Sequence, residues 1–398
     1  MDGSPEKRVR VGLVGAGFVA RIHAEAYRQV RGVAVDLVRV TASRPERAAA
    51  FASEFGVRGT APDLAAILDD TEVDLVDLCV PPYLHAPFAV AAARAGKHVI
   101  VEKPLTGFFG SALTPRREML ERALTGADEV LDAARASGVR ICYAENWVYA
   151  PPIQKARRLL TASGGPILRM VGEESHSGTH APVNKHWQTG GGGSLIGKGC
   201  HPLGAALYLK ADEGLRGQGR PIRPALVSAE VAALTETAAF RATHPRYLNV
   251  VEGADVEDWA SMLITFDDGT VAQISAADTV LGGIRNQMAI YGATAVVLCN
   301  INPNDAVRAY APDAAVFAGE YLVEKLETKA GWSSPQPDEE WMTGYPQEMQ
   351  DFVECAALGR EPLSTGALAR DVTAVIYGAY LSAAQGQRVD LRPFLRPG

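Results

Sequence analysis

Residues 191–201 read GGGSLIGKGCH, so three consecutive glycines stand beside Lys198 and His201 in one short stretch. Upstream, between 174 and 201, lie His176, His180, Lys185 and His186, and across the whole interval the single acid is Glu174. Ammonium and imidazole groups gathered this closely suit a carboxylate, phosphate or sulfonate, which they hold through charge-assisted hydrogen bonds. The plainer alternative is a solvated loop whose charges point outward. His176 and His180 also stand four residues apart, a metal-ligand spacing when it falls on a helix. The segment SHSGTHAPVNKHW reads as loop, so that spacing does not put both imidazoles on one face, and no metal is expected. Trp147, Tyr149 and Trp187 have the flat apolar faces that stack on sugar rings, and equally the bulk that fills a core.

A second concentration of chemistry opens the chain. VGLVGAGFVA carries Gly15-x-Gly17-x-x-Ala20 directly after a strand pattern and before a helical one. Gly15 permits a tight turn, Gly17 lets a pyrophosphate approach the backbone, and Ala20 lets helix pack on strand. Phe18 and Val19 then open a helix whose N-terminal N–H groups suit a phosphate. The end of the next strand, where an acid normally meets the ribose 2′-hydroxyl, reads Thr41-Ala42-Ser43-Arg44. The nearby acid, Asp36, falls at the wrong end of that strand. Ser43 and Arg44 fit a 2′-phosphate, while Arg44 suits adenine stacking as well, so both NAD and NADP stay open.

The elements that must position these residues alternate through the first part of the chain. VRVGLVG, VDLVRVTA, VDLVDLCV, KHVIVEK and VRICYAEN read as strands, and FVARIHAEAYRQV, ERAAAFASEFG, APFAVAAARAG and EVLDAARASG read as helices. Such alternation predicts an α/β unit with a parallel sheet covered on both faces, over residues 1–148. Past residue 165 come longer β-type runs, with a hairpin signal at DDGT 267–270. Residues 149–398 are therefore expected to form an α+β domain with an open, mostly antiparallel sheet. Its helical end, about 345–386, is expected to pack back on the first domain.

The chain has 398 residues, 47% of them apolar, and a net charge of −7. That balance argues against nucleic acid and anionic membrane surfaces. No stretch approaches a membrane span, and the N-terminus has no apolar signal core. Five scattered cysteines read as reduced thiols of a cytoplasmic protein.

The run VDLVDLCVPPYLHAPFAVAAARAGKHVIVEKP resembles the Gfo/Idh/MocA family, the glucose–fructose oxidoreductase and inositol dehydrogenase superfamily. Pro81-Pro82-x-x-His85, Gly96-Lys97-His98 and Glu102-Lys103-Pro104 match its pattern in order, and the likeness continues through GGGSLIGKGCH to GREPLSTG and QGQRVDL. The resemblance implies a Rossmann domain holding NAD or NADP through Gly15, Gly17, Phe18, Val19, Ala20, Ser43, Arg44, Pro81, Pro82, His85, Glu102, Lys103, Pro104 and Asn146. It implies a nicotinamide pocket at the Glu-Lys-Pro loop, with a cis peptide before Pro104. Lys103 and His201 would be the catalytic pair at the reacting hydroxyl. A lysine beside a pyridinium should lose pKa and serve as base or relay.

The resemblance also places the glycine run under the substrate, where small residues admit a sugar to the backbone. The family carries an aspartate four residues before the histidine, and here that position is Gly197. Glu145, Glu173 or a basic group with a different task are the candidates to replace it. Around a carbohydrate, Lys103, Glu145, Trp147, Tyr149, His176, His180, Lys185, Trp187, Lys198 and His201 are the expected contacts, with an anionic substituent on the substrate. The stretch following Glu-Lys-Pro, LTGFFGSALTPRREMLERALTGADEV, carries extra residues before the usual helix and reads as an insertion forming a lid or an oligomer contact. Family members commonly form homo-oligomers through the second sheet.

Three functions fit these residues. The first is an NAD(P)-dependent dehydrogenase of a sugar or cyclitol hydroxyl. The second is a redox-neutral NAD-dependent glycosidase that oxidises, eliminates, adds water and reduces again, acting on a sulfonated or carboxylated glycoside. The third is a non-catalytic dinucleotide-binding scaffold, against which Lys103 and His201 argue.

Overall fold

The computed structural model describes residues 7–179, 181–243, 247–250, 253–302 and 307–396. Six strands, β1 (Arg8–Val14), β2 (Ala34–Thr41), β3 (Gly59–Thr60), β4 (Leu75–Leu78), β5 (His98–Glu102) and β6 (Ile141–Ala144), form one sheet in the order β3-β2-β1-β4-β5-β6. Every pairing in it is parallel. A parallel sheet needs a crossover after each strand and is covered on both faces, which is why β4 and β6 are buried at every position.

Crossovers come from α1 (Phe18–Tyr27), α2 (Pro45–Phe55), α3 (Leu64–Leu68), α4 (His85–Arg94) and α5 (Arg116–Ser137). Local chemistry sets their limits. α2 begins with Pro45 in its first turn and stops at Gly56, whose φ of 71° a side chain would resist. Strand order reverses between β1 and β4, so the carboxyl ends of β1, β4 and β5 converge on one crevice. Gly15, Cys79 and Lys103 each follow one of those ends.

After α6 (Pro151–Ser163) a second sheet is built from β7 (Ile167–Ser175), β8 (Pro224–Ala232), β9 (Trp259–Phe266), β10 (Val271–Ala277), β11 (Arg285–Gly292) and β12 (Val296–Asn300). Strands β13 (Ala309–Ala311) and β14 (Gly331–Ser333) pair separately, and β15 (Val389–Asp390) completes the large sheet beside β8. Its order is β12-β11-β7-β10-β9-β8-β15. The sheet is mixed, because β10 returns to lie parallel beside β7, while the other pairings are antiparallel. The hairpin expected at 267–270 joins β9 to β10. Helix Cys200–Gln218 covers one face, with Pro202 against Gly172 of β7. On the other face Leu263, Val296 and Leu298 are exposed.

The helices Tyr345–Leu358 and Gly366–Gln385 contact the first sheet's helices. Arg370 bonds Asp128 of α5 at 2.6 and 3.1 Å, and Gln350 bonds the backbone of Arg31 at both its N–H and its carbonyl. The predicted insertion is no free flap. Phe108 is buried, its N–H donates to the Tyr377 hydroxyl at 2.6 Å, and that hydroxyl donates to the Gly191 carbonyl at 2.6 Å. Residues 105–115 are thus a strap tying the first sheet to the glycine run. A backbone so engaged is not a freely moving lid.

Candidate functional site

His201 sits in the first turn of helix Cys200–Gln218, and Glu145 follows the carboxyl end of β6. Nδ1 of His201 lies 2.6 Å from Oε1 of Glu145, whose carboxyl is fully buried. A carboxylate only accepts, so with Glu145 ionised Nδ1 carries the hydrogen and Nε2 is the other ring nitrogen. The indole of Trp147 stacks behind the imidazole, 18° from parallel with centroids 6.2 Å apart. Glu145, one of the acids considered, is thus the carboxyl in contact with His201. Glu173, the other acid considered, points to Arg285 at 3.6 Å on β11.

Lys103 leaves β5 at the cis Lys103–Pro104 peptide and donates from Nζ to the Gly197 carbonyl at 2.8 Å. This contact brings the lysine to the turn that leads into His201. Burial alone would push its ammonium towards losing the proton, but Cys200, Glu174, Glu102 and Glu145 around it outweigh that, and its pKa stands above the ordinary lysine value. The expected loss of pKa invoked a pyridinium beside the lysine, and the protein's own groups act the other way. The sequence does not reveal that several carboxyls gather around this one cation. Glu174 is buried beside it, and burial holds its carboxyl above the usual range although His201, Lys103 and Lys198 pull the other way.

At the cofactor end, Gly15 has φ 113° and an added Cβ would stand 2.1 Å from the Cys79 carbonyl oxygen, so β1 and β4 need a glycine there. Gly17 is different: nothing lies within 4 Å of where its Cβ would be. Space above the N-terminus of α1, with Ala20 buried below and Phe18 exposed, fits a pyrophosphate. Val19 is half-buried, and Ser43 and Arg44 are exposed at the end of β2, on the same edge. Asp36 is occupied by Arg8 and Arg58 at the opposite end. Pro81 and Pro82 shape the turn after β4 and are half-buried.

Three residues expected to hold the cofactor bond to protein groups instead. The ring nitrogens of His85 lie 2.6 and 2.8 Å from the carbonyl oxygens of Pro104 and Val80, so it braces the Lys103–Pro104 loop. Asn146 is buried and donates to the Thr343 carbonyl at 2.8 Å. Glu102 turns inward, accepting the Lys103 N–H at 3.0 Å.

The glycine run also differs from its expected role. A Cβ on Gly193 would stand 1.8 Å from the Glu257 carbonyl oxygen, and one on Gly192, at φ 147°, would stand 2.3 Å from the Tyr380 hydroxyl. Packing against protein, not admission of a sugar, demands these glycines. The Glu257 carboxyl accepts the Gly193 and Leu195 N–H groups and the Tyr380 hydroxyl at 2.8–3.2 Å. Burial raises its pKa to about 7. Gly197 faces open space, with nothing within 4 Å of an added Cβ.

Part of the cationic cluster is inside, whereas His186 is half-exposed, 3.8 Å from Asp255. Lys185 and Lys198 are both buried and both bond the one carboxylate of Asp278. His176 is buried, and its Nδ1 accepts the Gly178 N–H at 3.0 Å, which puts the hydrogen on Nε2. Burial, with Lys198, Lys325, Lys103 and Lys185 nearby, drives its pKa far below the ordinary histidine value. Lys325 is a residue that sequence reading missed. It takes φ 60°, a left-handed conformation unusual for lysine, and its side chain is 5% exposed. His180 lies outside the described residues.

Sugar stacking by the three aromatics is not what the structure presents. Tyr149 donates to Asp351 at 2.7 Å and accepts the Ser364 N–H, and Trp187 packs edge-on to Tyr380 under Arg116. Trp147 touches the site only through His201. All three are at most 3% exposed, and burial of this sort leaves no mark in a residue's identity.

Two family models match the chain: an oxidoreductase family with an NAD-binding Rossmann fold over residues 9–143, and a GFO/IDH/MocA C-terminal domain over residues 153–297. A levoglucosan dehydrogenase of Pseudarthrobacter phenanthrenivorans is 26% identical across 78% of each chain. A D-glucoside 3-dehydrogenase of Escherichia coli is 32% identical, over 52% of this chain and 55% of its own length. Among solved structures, GenD2 from gentamicin A biosynthesis, in complex with NAD, superposes with a TM-score of 0.79 at 25% identity over 98% of both chains.

Proposed function

The chain belongs to the GFO/IDH/MocA family of NAD-binding oxidoreductases, and from that membership we propose that it is a dehydrogenase acting on a hydroxyl of a sugar or cyclitol. The observation that carries this reading is the Lys103–Gly197 contact, which joins the loop after β5 to the turn bearing His201. NAD, when bound, accepts a hydride from the substrate carbon. Gly15, Gly17, Ser43 and Arg44 are the residues that would hold it.

Proton handling falls to the chain's own side chains. Lys103, kept as an ammonium, donates a hydrogen bond to the substrate oxygen and stabilises negative charge growing there. Nε2 of His201 takes the hydroxyl proton, and Glu145 at Nδ1 orients the ring and offsets the charge it gains. The product is a ketone, with one proton left on the imidazole. Asp278 beneath two ammoniums, with His176 Nε2–H and Lys325 nearby, supports a substrate bearing a carboxylate, phosphate or sulfonate.

A second reading rests on Glu174. A buried carboxyl with raised pKa is the acid that a redox-neutral glycosidase needs for its leaving group, and a simple dehydrogenase does not need it. One parallel screen separates the two: free sugars and aryl glycosides, neutral and acidic, with NAD and with NADP. A dehydrogenase gives stoichiometric absorbance of the reduced cofactor with a free sugar. Release of aglycone with no net absorbance change overturns that reading in favour of the glycosidase. Lys103→Ala is expected to bind NADH normally and to lose turnover, and undiminished turnover removes the lysine from the mechanism.

Exposed Leu263, Val296 and Leu298 on the second sheet support a homo-oligomer, testable by light scattering. Five free thiols support a reducing, cytoplasmic setting. No helix among the described residues is long and apolar enough to cross a membrane.

A further inference from the structure

Beneath the Lys103 loop lies a buried polar cluster that the mechanism above does not use. His23 faces inward from α1 and is fully buried. Its Nδ1 lies 3.0 and 3.2 Å from the two carboxyl oxygens of Asp77 on β4, and its Nε2 lies 3.3 Å from Oε1 of Glu102 at the end of β5. The second contact is ionic in reach rather than a well-aligned hydrogen bond. Asp77 is held further by the Tyr27 hydroxyl at 2.8 Å and the Cys79 thiol at 3.4 Å. The free oxygen of Glu102 accepts the N–H of Lys103 at 3.0 Å. A chain of contacts therefore runs Asp77–His23–Glu102–Lys103 backbone, linking β4, α1 and the β5 loop.

Two carboxylates buried without a cation would each lose several kcal/mol of solvation. An imidazole with a carboxyl at either nitrogen offsets both by keeping both hydrogens. The proximity of Asp77 raises the His23 pKa well above its ordinary value in spite of burial, and the His23 contact holds Glu102 below the usual carboxyl range although burial opposes it. Facing this group from the helix Tyr345–Leu358 are the Tyr345 ring, 6.2 Å from the imidazole, and Glu348, whose pKa burial pushes well above its ordinary value. Asp77 and Glu102 are the carboxyls that meet the two His23 nitrogens.

We propose that His23 is a positioning residue for the reaction: held between Asp77 and Glu102, it fixes Glu102 against the backbone of Lys103 and so sets where that ammonium reaches. This rests on the reading that Lys103 acts on the substrate. His23 stands under the loop, so its effect belongs to the chemical step and not to dinucleotide affinity.

Two measurements test it. Imidazole nitrogen NMR of the full-length protein, with the His23 resonance assigned by its loss in His23→Gln, is expected to show both nitrogens protonated at pH 8, where an ordinary histidine is neutral. A neutral ring at that pH overturns the proposal without any substrate. His23→Gln, assayed with whichever sugar the screen finds active, is expected to lower kcat about 10- to 100-fold, the scale of a small misplacement. NADH affinity, read by fluorescence titration, should change less than about threefold. Adding Glu102→Gln should cost little more, because the two act in series. Unchanged kcat in His23→Gln, or a parallel loss of NADH binding and kcat, overturns it. Should Lys103→Ala retain turnover, the reading of the lysine fails, and the NMR result still decides the charge of His23.

Discussion

The nitrogen of His201 that meets a substrate depends on what Glu145 does at the other one. Glu145→Gln can present an amide N–H to Nδ1 and favour the wrong tautomer, so kcat should fall about 10²- to 10⁴-fold with the fold intact. Steady-state kinetics beside circular dichroism check this. At Lys198, exchange for Gln removes one of two ammoniums over Asp278. KM for acidic sugars should rise about tenfold or more, while neutral sugars are little affected. Equal effects on both classes would remove the anionic substituent from the proposal. At this scale the sequence told less than it seemed to. Gly197 was visible as a departure, but the choice among Glu145, Glu173 and others depended on which face of β6 or β7 each acid occupies. Lys325 carried no signal, being an ordinary lysine in a polar loop.

Elements explain why the glycine run exists. Its backbone is wedged between Glu257, Tyr380 and the strap after β5, all distant in sequence. Gly193→Ala must move the Glu257 backbone, and should destabilise the protein by about 2 kcal/mol or more in urea denaturation. Local periodicity had announced the strands and helices of the first sheet, since apolar alternation is a property of neighbours in sequence. It could not announce that β10 would return beside β7, nor that the insertion would be pinned by the Tyr377 hydroxyl. Those depend on partners more than 90 residues away. The expected aromatic platform failed for the same reason, as Tyr149 and Trp187 find their partners in the C-terminal helices.

Across the whole molecule, stability and acidity are linked through Glu257. Its folded pKa of about 7 stands above the ordinary 4.5, so folding favours its protonated form. The stability this contributes is fully present below pH 4.5 and is lost as pH rises through about 7. The loss is at most about 3 kcal/mol. Wild type should therefore lose more stability between pH 5 and pH 8 than Glu257→Gln, in matched denaturation curves. Identical slopes would show the carboxyl to be ionised throughout.

The room beside Gly197 has an evolutionary reading. A methyl group could be added there without displacing a neighbour, since nothing lies within 4 Å of an added Cβ. Nothing steric maintains the glycine, so Gly197→Asp should fold as well as its parent. An acid at that spot would add to the charge of Glu145 and Glu174 around Lys103, and would oppose the anionic substituent proposed for the substrate.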